Sequence, residues 1–358
     1  MCGIAGLLGN GSLEDAISMA NAIGHRGPDG SGDFLADVEQ ANGSVAFSHA
    51  RLSIIDLDGS HQPIHSDHGC VLMVNGEIYN HKKIKSTLRD YPFRTAGDSE
   101  VIMALHRKYS WNQPVGKNPA ERHIEWVSKL DGMWGFSLWD PKAKELILCR
   151  DPFGIKPLVR TQLSDGTLLF GSEVKTFRGH PDFTAKPDIS ALSVRLAYEY
   201  PLDQTTLFQG VTSVGIGTIE TWSLAEGKAT LTGVAKYWKP RLIPSENWSP
   251  STNASQLLNS LRDSIQDRLM ADVPVGIVLS GGLDSSLMAA LAHDAADSAG
   301  KPTPECWTVA DSEENVDLQA SIMVTKNHDL GHHVHIMDEN TMWKKLSEFV
   351  WNGEDLDI

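Results

Sequence analysis

The chain has 358 residues, 41% of them apolar and 22% charged, which suits a soluble globular protein of about two domains. Its formal net charge of −15 argues against a nonspecific nucleic-acid or anionic-membrane binder, because such proteins need a basic face. An anionic small substrate stays open, since a loop binds phosphate locally whatever the global charge.

The opening "MCGIAGLLGNGS" has no basic segment, and no run of eighteen apolar residues follows. The expectation is no signal peptide and no membrane span. The four cysteines, Cys2, Cys70, Cys149 and Cys306, are widely spaced. That spacing argues against a disulfide framework or a zinc motif and for a reducing cytoplasmic setting. The dense histidine run "HDLGHHVH" (328–335) reads as a loop entering a strand.

Over the first ~220 residues, short β-like runs alternate with Gly and Asp/Asn turns. "GSVAFSHARLSIID", "CVLMVNGEIYN", "ELILCRD" and "TLLFGSE" are examples. "SEVIMALHRKY" places Val101, Ile102, Leu105 and Tyr109 on one helical face. Hairpin-like strands with few helices predict α+β layering. Residues 237–253, rich in proline and without periodicity, read as a linker. Beyond them Leu257, Leu258, Leu261, Ile265 and Leu269 mark a helix. Then come the strand "VGIVLS", a glycine loop, a helix, the strand "ECWTVA", another helix and "HHVHI". Helix and buried strand in alternation predict a doubly wound parallel sheet.

Two stretches carry chemistry. In "VLSGGLDSS" (278–286) a buried strand turns directly into a helix N-terminus. Its unpaired N–H groups and dipole suit phosphate. No lysine follows the glycines, so this is not the nucleoside-triphosphatase loop of the Walker type. Asp284 is placed to hold Mg²⁺, and Ser280, Ser285 and Ser286 to donate to phosphate oxygens. The string resembles the pyrophosphate loop of ATP pyrophosphatases.

The second stretch is Cys2. Removal of Met1 would give one residue both a thiol and a free α-amine, the latter a base with pKa near ~8. "MCGIAG" resembles the start of class II glutamine amidotransferases. The resemblance continues through "HRGPDGSG" (25–32), "HARLSIID" (49–56), "QPI" (62–64), "VNGEIYN" (74–80), "GDSEV" (97–101), "LDGMWGFSLWD" (130–140), "RDPFGIKPL" (150–158) and "GSEVK" (171–175). It implies Cys2 as nucleophile and an oxyanion hole from Asn75 and Gly76. It also implies a glutamine site of Arg51, Asn75, Gly76, Glu77 and Asp98.

In this order the two halves resemble glutamine-hydrolysing asparagine synthetase. The fold implied is an N-terminal-nucleophile hydrolase sandwich (αββα), followed by a partial α/β doubly wound ATP-pyrophosphatase domain. The boundaries expected are 2–220 for the amidotransferase domain, 221–253 for a linker and 254–358 for the start of the synthetase domain. The ATP contacts implied are Leu279, Ser280, Gly281, Gly282, Asp284, Ser285 and Val309, with Asp284 as the Mg²⁺ ligand. The substrates implied are glutamine, aspartate and ATP, and a homodimer is expected.

Two departures stand out. "VGIGTIE" (214–220) replaces a usual Pro-Gly. No second glycine-acid motif of the S-G-E-G-x-D-E kind occurs. The alternatives expected are therefore a glutaminase-only protein or half of a split synthetase completed by a separate chain. Cys2, Arg51, Asn75 and Asp98 argue against a β-lactam synthetase relative. "SGGLDSS" argues against a sugar-isomerising or phosphoribosyl amidotransferase, and the two motif sets together against a nonenzymatic role.

Overall fold

A computed structural model describes residues 1–240 and 248–354. The chain forms two compact units, which divide after Pro240.

The first unit begins with β1 (Gly3–Gly9), α1 (Leu13–Asn21), β2 (Gly30–Asp37), β3 (Ser44–Arg51), β4 (Ile64–His65) and β5 (Val71–Ile78). Next come α2 (His81–Thr87), α3 (Glu100–Tyr109), α4 (Ile124–Val127), β6 (Gly132–Asp140) and β7 (Glu145–Arg150). It closes with β8 (Val159–Gln162), β9 (Leu168–Gly171), α5 (Ile189–Tyr198), β10 (Thr212–Ser213), β11 (Thr218–Ala225) and β12 (Lys228–Lys236). Two six-stranded sheets result, ordered β10-β8-β9-β1-β3-β2 and β12-β11-β7-β6-β5-β4.

Strand alternation sorts the side chains into layers. Ile4, Leu8, Phe47, Val71, Met73, Leu148 and Phe170 fill the space between the sheets. Their neighbours face outward. Ala5, Leu7 and Leu169 meet α1 through Ala16 and Met19. Leu72, Val74, Phe136 and Leu138 meet α3 and α4 through Ile102, Leu105 and Trp126. The inner strands β1, β3, β5, β6 and β7 are buried on both faces, which is why they read as nearly continuous apolar runs. This is the expected αββα sandwich. A capping box starts α1, where Ser12 and Asp15 satisfy each other's backbone N–H groups.

The expected linker over 221–253 needs correction. Residues 218–236 form the β11–β12 hairpin, and β11 pairs with β7 inside the second sheet. The outermost strand, β12, is largely exposed and carries polar residues, so it lacks an apolar run. Pro250 onward already belongs to a helix. Residues 241–247 of that linker, and 355–358 of the expected second domain, lie outside the described residues.

The second unit contains α6 (Pro250–Arg268), β13 (Gly276–Val278), α7 (Leu283–Ser298), β14 (Glu305–Ala310), α8 (Val316–Asn327), β15 (His332–Ile336) and α9 (Glu339–Gly353). Its strands form a parallel sheet, β13-β14-β15. Ile265 and Leu269 of α6 pack on Leu291, Ala292 and Ala295 of α7. The partial sheet is expected to expose an apolar edge. What the structure exposes is a face. Val278, Trp307 and Val309 share it, at 83%, 51% and 61% exposure. Parallel sheets ordinarily have both faces covered. The histidine run enters β15, where His333 stacks on Trp307 and meets Glu305 at 2.6 Å.

Candidate functional site

Three strand ends of the first unit converge. Cys2 precedes β1 and has the parity of Ile4, so its side chain points between the sheets. Arg51 ends β3 with the parity of Phe47. Asn75 and Glu77 end β5 with the parity of Met73. The β1–β3 register, with Gly3 opposite Ala50, brings Cys2 beside Arg51 and Leu52. Cys2, Arg51, Leu52, Gly76, Glu77 and Asp98 line one pocket.

The Cys2 sulfur accepts the Leu52 N–H at 3.4 Å. Burial pushes its thiol above the ordinary range, and it lowers the chain's α-amine beside it. Asn75 is fully buried. With its amide set to satisfy both ends, the nitrogen donates to the Cys2 carbonyl at 3.0 Å. The oxygen then accepts from Arg26 Nη2 at 3.3 Å. Gly76 admits no side chain: a Cβ would stand 2.2 Å from the Met133 carbonyl oxygen.

Arg51 is buried, and donates to the carbonyls of Leu57 at 2.8 Å and Asp56 at 2.9 Å. Two bonds to the 56–57 turn fix the guanidinium and leave part of its fork for a ligand carboxylate. Opposite lies a carboxylate pair. Asp98 accepts the Ile78 N–H at 2.6 Å. Glu77 Oε2 is buried without a hydrogen-bond partner. Burial first, then the charge of Asp98, pushes the Glu77 carboxyl up to about 8, while Lys156 pulls it down. Burial also raises Asp98. A cationic ligand group would relieve this pair. The pocket therefore offers a thiol, an amide donor, a fixed cation and an anionic pair. That set fits a small amino acid whose side chain undergoes acyl transfer.

Sequence reasoning assigned no role to Arg26, Gln62 or Lys156, although each lies in a quoted motif. Arg26 is buried and donates through Nε to the Cys2 carbonyl at 2.9 Å. It also pairs with Glu173. Gln62 bonds both the N–H and the carbonyl of Val74, at 2.6 and 3.1 Å, extending β5's pairing with a side chain. Their place inside a motif was the only available signal for these residues.

The second group of expected residues lies in the second unit. Leu279 is buried, and its N–H donates to the Trp307 carbonyl at 2.8 Å. Thr308 Oγ1 donates to the Leu279 carbonyl at 2.7 Å. Gly281 has φ +77°, and a Cβ there would stand 2.5 Å from the Asp317 carbonyl oxygen at the start of α8. Gly282 caps α7, and Asp284 sits exposed in that helix's first turn. Ser280 and Ser285 bond each other at 3.0 Å across the turn. Ser280, Gly281, Gly282, Asp284 and Ser285 thus form one loop, with Val309 on the exposed face of the adjacent strand. A single exposed carboxylate beside a glycine turn at a helix N-terminus is the kind of ligand Mg²⁺ takes, since it uses few protein ligands.

The glutamine amidotransferase domain family matches residues 1–238, and the asparagine synthase family matches residues 256–357. The chain is 33% identical over 316 residues to asparagine synthetase [glutamine-hydrolyzing] 2 of Bacillus subtilis, covering 83% of this chain and 39% of that protein. It is 34% identical over 315 residues to a putative asparagine synthetase [glutamine-hydrolyzing] of Mycobacterium tuberculosis, covering 82% of this chain and 46% of that one. It is 30% identical over 359 residues to amidase chry2 of Gibberella zeae, covering 96% of this chain and 50% of the relative. The chain thus spans half or less of the length of these relatives. Among the described residues, no helix is long and apolar enough to cross a membrane.

Proposed function

This chain belongs to the glutamine amidotransferase domain family, and from that premise we propose that it hydrolyses glutamine at Cys2 and passes the ammonia to ATP-activated aspartate, giving asparagine. The observation that carries this reading is the meeting of Cys2, Arg51, Gly76, Glu77 and Asp98 in one pocket, with Asn75 against the Cys2 backbone.

Removal of Met1 frees the Cys2 α-amine, which takes the thiol proton. The sulfur attacks the glutamine side-chain carbonyl carbon. The Asn75 amide and the Gly76 N–H receive the oxyanion. Ammonia leaves with the proton held by the amine, and water then splits the thioester to release glutamate. Arg51 holds the substrate α-carboxylate, and Glu77 with Asp98 holds its α-ammonium.

This assignment sets a pH dependence. Glu77 is held protonated up to about 8, so below that pH it offers no charge to the ammonium. Binding expels its proton, and the glutamine KM should fall as pH rises through about 8. Glu77→Gln should flatten that trend. A KM independent of pH in the unaltered chain would remove Glu77 from substrate binding.

In the second half, ATP lies against the loop of Ser280, Gly281, Gly282 and Ser285, with its adenine beside Leu279 and Val309. Aspartate's β-carboxylate attacks the α-phosphorus, pyrophosphate leaves, and ammonia displaces AMP from β-aspartyl-AMP. Asp284 would hold Mg²⁺, which neutralises charge on the departing pyrophosphate. The amidotransferase half takes in the β11–β12 hairpin, and the setting proposed is the cytoplasm. A homodimer, and completion of the synthetase half by a separate chain, belong to the same proposal.

The test is pyrophosphate release from ATP and Mg²⁺ with and without aspartate, glutamine being present. Aspartate-dependent release supports the ligase. Glutamate without pyrophosphate would leave a glutaminase, or half of a split enzyme. Asp284→Asn should abolish the release and leave glutamate formation intact. Unchanged release in that variant would take Asp284 out of the site.

A further inference from the structure

The first unit gathers a second set of reactive side chains on the other face of its second sheet. Cys70, His106 and Asp140 are all buried, and their ligand atoms lie within 4.8 Å of one another. The β5–β6 register explains two of them. Val71 pairs with Trp139, so Cys70 and Asp140 fall opposite each other one step further along. Both have the parity of Leu72 and Leu138, which face the helices and not the gap between the sheets. The third comes from α3, which buries every residue from Glu100 to His106.

His106 Nε2 lies 3.4 Å from Asp140 Oδ2 and has no hydrogen-bond partner. Burying an imidazole nitrogen in that state is costly. The other Asp140 oxygen is fixed by the N–H groups of Lys142 at 2.9 Å and Ala143 at 3.0 Å, which directs Oδ2 at the imidazole. His123 stacks on His106 but is already engaged. Its Nδ1 accepts from Trp126 Nε1 at 3.1 Å, and its Nε2 meets Glu145 at 2.9 Å.

We propose that Cys70, His106 and Asp140 bind a zinc ion, with solvent in the fourth position. One thiolate, one imidazole and one carboxylate make a borderline-soft donor set that favours zinc over magnesium or calcium. Tetrahedral zinc, with bonds of about 2.0–2.1 Å to nitrogen and oxygen, sets those two atoms about 3.4 Å apart. The His106–Asp140 distance is 3.4 Å. The ion gives the orphaned nitrogen a partner, and the backbone bonds to Asp140 orient that ligand from behind. Bound there, it ties the start of β5, the end of β6 and α3 together.

The 358-residue chain, stripped of metal and titrated with Co²⁺, tests this. The expected result is about one equivalent bound, with a thiolate-to-cobalt charge-transfer band. Cys70→Ala and His106→Gln should each lose the band, and Cys2→Ala should keep it, which excludes the partly exposed thiol of Cys2 as the ligand. Zinc added to the stripped chain should raise its thermal midpoint and displace cobalt. Near-ultraviolet circular dichroism reports whether each variant folds. If Cys70→Ala does not fold, the unaltered chain decides alone: absence of the thiolate band overturns the proposal. A band that survives Cys70→Ala in a folded chain overturns it equally.

Discussion

Cys2→Ala is expected to reduce glutamate release from glutamine to background, a fall of more than about 10⁴-fold, because no covalent path remains. The substitution removes one sulfur, and with it two weak bonds to Leu52: the S–H donates to the carbonyl at 3.6 Å and the N–H donates to the sulfur at 3.4 Å. The strand β1 and the buried Asn75–Arg26 contacts depend on Cys2 backbone atoms, which stay in place. Loss of activity should therefore come without loss of fold. Any pyrophosphate release supported by added ammonium salt should persist, since the second half does not need the thiol. Equal loss of glutamine-dependent and ammonia-dependent reactions would contradict the division of labour between the halves.

Asn75→Ala is the second large effect. One amide proton reaches the Cys2 carbonyl, and the proposed mechanism gives the other to the developing oxyanion. Removing one such donor costs about 10²–10³-fold in kcat. KM for glutamine should change little, because the contact strengthens only as the carbonyl becomes tetrahedral. The same change strips a partner from Arg26 inside the buried site, and a destabilisation of about 1–3 kcal/mol follows. Thermal melts separate that cost from the catalytic one. A raised KM with unchanged kcat would make Asn75 a ground-state binding residue instead.

Much of the sandwich is legible in the sequence because its strands are buried on two sides. "CVLMV" and "ELILC" are apolar almost without interruption, and each alternate residue finds a different layer. The hairpin of β11 and β12 is less legible. Its second strand lies at a sheet edge, mostly in solvent, so burial imposes no pattern on it. The site divides the same way. Cys2, Arg51, Asn75 and Asp98 are singled out by motif, and β-strand parity then accounts for the convergence of the first three. Arg26 pairs with Glu173, 147 residues away, and no local pattern announces such a partner. Cys70, His106 and Asp140 have no metal-binding spacing. Their meeting is set by the β5–β6 register and the buried face of α3, which are tertiary facts.

The most direct test is to label the nucleophile covalently. The chain is incubated with an electrophilic glutamine analogue that alkylates the attacking thiol, and intact and peptide masses are read. The expected result is one adduct per chain, on the sulfur of an N-terminal Cys2 from which Met1 has gone, and protection by glutamine. An unlabelled Cys2, or an adduct on another cysteine that glutamine does not block, would contradict it.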